Sequence, residues 1–125
     1  METFALQAGL LKAVAHPTRL AVLEILRDGE QCVCHMEATL GLRQASISQQ
    51  LMILRDAGIV EVRRDGLNMY YHVVKPEVFD LLDAVYAATA KPRPQLAHKH
   101  GKDTCPCPKC NTVQHIPLDQ LNIRP

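Results

Sequence analysis

The chain has 125 residues, 47% of them hydrophobic, and a formal net charge of +1. That length fits one compact domain with its own core. Residues 1–90 hold 8 Lys+Arg against 11 Asp+Glu (8 − 11 = −3) and residues 91–125 hold 6 against 2 (+4), so the overall charge announces no nucleic acid and any DNA contact must come from a local patch.

No run of about 18 apolar residues occurs, so no membrane span is expected. The N-terminus lacks a basic start and a small-residue cleavage site, so a cytoplasmic protein is expected. Leu6, Leu10 and Val14 share one helical face. His16-Pro17-Thr18 interrupts that helix, because the residue before proline avoids the helical region. Thr18 is the expected cap of a second helix, with Ala21, Val22, Ile25 and Leu26 on its apolar face and Asp28-Gly29 at its end. A short third helix is predicted over residues 34–40, stopped by Gly41. A fourth is predicted over 44–57, closed by Gly58, with Ile47, Leu51 and Leu54 as a core stripe.

The period then changes. Residues 59–64 and 68–74 alternate as two strands, and Asp65-Gly66 between them signals a hairpin. Pro76 opens a last helix with Val78, Leu81, Leu82 and Val85 apolar. Beyond Ala90 lies a basic tail, residues 91–125, holding six of the eight prolines and therefore poor in regular structure. The predicted architecture is mainly α with a β-hairpin wing, in the order α-α-α-α-β-β-α over residues 1–90, followed by an irregular cysteine-containing tail.

A short helix, a glycine turn and a longer helix form a helix-turn-helix whose second helix enters the major groove. The outer residues Gln44, Ser46, Ser48 and Gln49 are short or amide side chains suited to base edges and phosphates. Arg63 and Arg64 on the hairpin are candidate wing contacts to the backbone or minor groove. The bland alternative is a solvated helix face and two ordinary surface arginines.

All five cysteines fall in two runs, Cys32-Val33-Cys34 and Cys105-Pro106-Cys107-Pro108-Lys109-Cys110. In a reducing compartment such clusters favour a soft ion or redox sensing over structural disulfides, and an odd count fits no pure disulfide framework. Residues two apart stand about 200° apart on an ideal helix, so Cys32 and Cys34 chelate one ion only where the first turn is non-helical or unwinds. Binding would then strain the helix beside the DNA reader. A helix N-terminus also favours thiolate. The 15 residues from Ala90 to Cys105 span at most ~50 Å, so a tail cysteine can reach the pair on its own or a partner subunit.

The segments Leu42-Arg43-Gln44-Ala45-Ser46-Ile47-Ser48-Gln49-Gln50-Leu51, Leu54-Arg55-Asp56-Ala57-Gly58-Ile59-Val60 and Ala15-His16-Pro17-Thr18-Arg19-Leu20 resemble the winged-helix region of the ArsR/SmtB family. The resemblance covers roughly residues 3–90. It implies dimeric repressors that leave their operators when metal binds. It also implies dimerisation through the first and last helices, around Leu6, Leu10, Leu81, Leu82 and Val85, on an inverted-repeat operator with half-sites ~34 Å apart. Many members have histidines where this chain has Gln49 and Gln50, a departure that bears on operator sequence.

The run Glu30-Gln31-Cys32-Val33-Cys34-His35-Met36 resembles the metal box of the arsenic-responsive and cadmium/lead-responsive branches, most closely the former. His35 replaces the usual Asp and is a candidate accessory ligand; Glu37 stands where some arsenic repressors carry a third cysteine. The expected site is therefore Cys32, Cys34 and one of Cys105, Cys107 and Cys110, with Cys105 or Cys107 preferred. Three thiolates match As(III) or Sb(III) as inducer; four suit Cd(II), Pb(II) or Zn(II). The family's other site, on the last helix, is not preserved near Lys75, Glu77 and Ala88.

Rival readings are a thiol redox or persulfide sensor, and a metal-sequestering module without DNA affinity. Cys105, Cys107, Cys110 and His115 also form a candidate independent zinc site. Cys107-Pro108-Lys109-Cys110 lacks the strand-helix context of an oxidoreductase. His98 and His100 read as solvated, His16 as a turn or core residue and His72 as a strand-face residue. No catalytic triad, paired-carboxylate motif or phosphate-cradling loop marks an enzyme.

Overall fold

A computed structural model describes residues 1–96. The order is α1 (Glu2–Val14), α2 (Pro17–Leu26), β1 (Gln31–Cys32), α3 (Val33–Leu40), α4 (Gln44–Asp56), β2 (Val60–Asp65), β3 (Asn68–Val73) and α5 (Glu77–Thr89). The strands form one antiparallel sheet in the order β1-β3-β2. Five helices with a β-hairpin wing make a winged helix-turn-helix, as the periodicity predicted.

The core stripe of α4 is fully realised. Ile47, Leu51 and Leu54 are completely buried, together with Val22, Leu23, Met36 and Ile59. Each such aliphatic side chain stabilises the fold by roughly 1.5–3 kcal/mol. The turn between α3 and α4 works because Gly41 takes a left-handed conformation (φ 66°), which glycine adopts without penalty.

Four expectations need correction. The cap of α2 is His16, whose Nδ1 accepts from the Thr18 N–H at 3.1 Å, while Pro17 and Thr18 lie inside the helix. Proline has no N–H to leave unpaired there, so it fits the first turn, and the cap lies two residues further out than expected. The wing loop is Gly66-Leu67, because Asp65 still pairs with Asn68. Gly66 (φ 63°) takes the first central position, the left-handed position of a type II′ hairpin turn. The third strand, β1, had no sequence signal; two residues are too few for an alternation to show. Leu82 is buried in the core and so is not part of an exposed face, whereas Leu6 and Val85 are exposed.

Leu10, Leu11, Val78 and Leu81 line a groove of about 300 Å³ between α1 and α5. Among the described residues no helix is long and apolar enough to cross a membrane.

Candidate thiol and nucleic-acid site

Cys32 and Cys34 meet without any loss of helix. Cys32 belongs to β1 and is the N-cap of α3, with extended backbone (φ −85°, ψ 160°). Cys34 is the second residue of α3. This change of backbone state between the two residues brings their sulfurs together as a disulfide, with Cα atoms 5.3 Å apart. Of the two routes the spacing left open, a non-helical start or an unwound turn, the structure takes the first: the non-helical residue is supplied by the strand. Cys32 Sγ also accepts the His35 N–H at 3.2 Å, which satisfies one of the unpaired donors at the helix start.

The pair sits on the sheet. Cys32 lies opposite Tyr70 of β3 and packs with it in a small buried cluster beside Cys34 and Ala38. The Arg63 guanidinium stacks 4.7 Å above the Tyr70 ring. It also forms a two-pronged ion pair with Glu30, at 3.0 and 2.7 Å, and these bonds push its pKa further up. Arg63 is thus occupied beside the thiol pair. Arg64, one residue on, is exposed next to the wing turn.

A groove of about 220 Å³ joins the thiol pair to the reader. Cys32 and Cys34 line it with Gln44 and Ser48 of α4 and with Leu67, Asn68 and Met69 at the wing. Gln44, Ser46 and Gln49 are exposed and Ser48 is half-buried.

His35 instead lines a different groove, with Gln31, Glu24 and Arg93. Among the described residues no three His, Cys, Asp or Glu side chains converge as metal ligands. Once reduced, the two thiols would supply two donors whose chemistry fits a soft ion. Cys105, Cys107, Cys110 and His115, like His98 and His100, lie outside the described residues.

Residues 16–62 match the family described as "Bacterial regulatory protein, arsR family". The chain is 41% identical over 87 residues to the "Biofilm growth-associated repressor" of Agrobacterium fabrum, covering 70% of this chain and 74% of that protein. The chain belongs to the arsR family. Reduced HlyU from Vibrio cholerae is a structural relative of this ArsR protein, with a TM-score of 0.65 and 30% identity over 72% of this chain and 95% of that one. So is the homodimeric winged helix-turn-helix DNA-binding domain of Mb0332 from Mycobacterium bovis, with a TM-score of 0.63 and 29% identity over 71% and 82%. This ArsR-family chain is a transcriptional repressor and not an enzyme.

Two buried charges escaped the sequence reading. Arg19 donates to the Ala13 carbonyl at 2.6 Å, to the Lys12 carbonyl at 3.2 Å and to Gln50 Oε1 of α4 at 2.6 Å. It closes the C-terminus of α1 and ties it to the reader. Glu24 accepts from Arg27 at 3.0 Å, from the Tyr86 hydroxyl at 2.8 Å and from Arg93. Burial pushes the Glu24 carboxyl up, but those hydrogen bonds outweigh it and hold the carboxyl below its usual range. Burial and the bond to Glu24 push Tyr86 up to about 12. The only sequence signal was a charge set inside an apolar helical pattern.

Proposed function

We propose that this repressor binds an inverted-repeat operator as a homodimer and leaves it when As(III) or Sb(III) is taken up by the Cys32 and Cys34 thiolates with one tail cysteine. Cd(II), Pb(II) or Zn(II) are the alternative ions if more than one tail thiolate joins. The supporting observation is the shared groove: the thiol pair, Gln44 and Ser48 of α4, and the wing turn form its walls. An ion held there has differential contacts with the arrangement that fits DNA, which a coupled equilibrium requires. The apolar groove between α1 and α5 and the homodimeric Mb0332 relative support the dimer.

The test is operator release measured by fluorescence anisotropy against arsenite, antimonite, cadmium, lead and zinc. Cys32→Ser and Cys34→Ser proteins should bind the operator and stay bound. A Cys32→Ser protein still released by arsenite overturns the reading.

The Cys32–Cys34 disulfide favours a second reading, and the relative described as reduced HlyU agrees with it. Here a peroxide takes two electrons from the two thiols, leaving a disulfide and water, and the disulfide form has altered operator affinity. Peroxide followed by dithiothreitol should then change and restore operator binding with no metal present. Insensitivity of the metal-free protein to peroxide removes this reading.

A further inference from the structure

Helix α1 is anchored to its own chain at one end. Of its residues only Ala13 and Val14 are buried, with Leu10 half-buried against the core. Phe4, Leu6 and Leu11 are exposed on the remainder. The anchored end is where Arg19 acts. Its Nε and one terminal nitrogen donate to the Ala13 and Lys12 carbonyls, in a last turn that a helix leaves short of partners. The other terminal nitrogen donates to Gln50 Oε1, in the middle of α4.

A guanidinium is a rigid planar fork, so these three bonds hold the end of α1 and one turn of α4 at a set distance and angle. The apolar stripe of α4 holds the same helix by packing, which is non-directional. The fork supplies the direction. Arg19 is only 9% exposed, so its hydrogen bonds are strengthened by their low-dielectric surroundings. The amide orientation follows: an arginine N–H needs an acceptor, so it is Oε1 of Gln50 that faces Arg19. Gln50 is half-buried, whereas its neighbour Gln49 is exposed.

We propose that Gln50 is a positioning residue rather than a base-reading one, and that the Arg19–Gln50 bond sets the spacing of operator half-sites that the protein accepts. The proposal rests on the homodimer reading, in which the groove between α1 and α5 faces the partner copy. In such a dimer each α4 meets DNA at a place fixed by its attachment to α1. One base pair more or less between half-sites displaces the second by about 3.4 Å and turns it by roughly 34°. A reader tied to α1 by directed bonds cannot follow that shift. A reader held by packing alone follows part of it.

The test starts with selection of duplexes from a random DNA pool by the full chain. The selected operator is rebuilt with one base pair added or removed between its half-sites, and binding is read by fluorescence anisotropy. The wild type should lose several-fold affinity on either change of spacing. Gln50→Met removes the acceptor at similar length and should bind all three spacings nearly alike. Gln50→Glu keeps an acceptor and should restore the wild-type preference. Arg19→Lys keeps the charge without the fork and should behave as Gln50→Met does. A preference relaxed at one base position in Gln50→Met marks Gln50 as a base reader and overturns the proposal. So does a wild type indifferent to spacing. An unchanged spacing preference in Gln50→Met also overturns it, because lost stability alone weakens every spacing equally. Those three results leave the homodimer standing. Selection of a lone half-site, or a monomer in sedimentation on the selected operator, removes the homodimer reading and this proposal with it.

Discussion

The two ends of α2 each bury a charged side chain, and they satisfy it with different partners. At the N-terminal end Arg19 spends its donors on neutral oxygens: two carbonyls that close α1 and one amide of α4. At the C-terminal end Glu24 gathers two guanidinium groups and a phenol from its own helix, from α5 and from the strap that follows it, residues 91–96. The first end holds α4 against α1. The second holds the last helix and the residues that follow it. A buried charge is tolerated only when its hydrogen bonds are made, so each end commits α2 to several neighbours at once.

Breaking the acidic end should have the largest effect. Glu24→Ala leaves Arg27, Arg93 and Tyr86 without their shared acceptor, and about 3 kcal/mol of unfolding free energy should be lost, read by urea denaturation. The same group predicts two pH limits. The Glu24 carboxyl is held below its unfolded value of 4.5, so its contribution is complete above that pH and fades as the pH falls below it. Tyr86 is raised from 10.0 to about 12, so its contribution is complete below pH 10 and fades between pH 10 and 12. Glu24→Gln should flatten the acid limit and Tyr86→Phe the alkaline one, both read from denaturation midpoints across pH.

Breaking the basic end comes next. Arg19→Ala should lose about 2 kcal/mol, since hydrogen bonds from a charged donor disappear from a buried site. It should also weaken operator binding, because Gln50 loses its anchor. If both α2 variants weaken operator binding equally, the division of labour between the ends is wrong. A smaller effect is expected at the wing: Gly66→Ala should cost about 1 kcal/mol through the left-handed backbone alone, since open space surrounds the position. The smallest is expected at Arg64→Ala, which should reduce the salt-dependence slope of operator binding by about one with little change in stability.

Truncation sharpens the same comparison. A chain ending at Leu96 keeps Arg93 on Glu24; one ending at Ala90 loses that contact as well as the tail. Any stability difference between them belongs to the strap, and any sensing defect common to both belongs to residues 97–125.

Much of the fold was legible because local pattern and global fold agree. Ile47, Leu51 and Leu54 repeat at helical spacing, Gly41 stops α3, and the strands alternate on either side of a glycine turn. The two-residue β1 was not legible, since its existence depends on β3 offering Tyr70 and Tyr71 as partners. The cysteine pair was visible at once, and so was the condition that the helix start be non-helical or unwound; only the strand-to-helix junction at Cys32 chose between the two.

By itself the sequence determined the helix-turn-helix, the hairpin and the two thiol runs, because each rests on spacing within a few residues. Only the tertiary structure decided what those parts touch. It paired the half-exposed Arg63 with Glu30 and stacked it on Tyr70. It gave Arg19 and Glu24 their partners, and it brought Arg93 back onto Glu24. The longest of these contacts join residues from 31 to 69 positions apart, and no local periodicity encodes a partner at that distance.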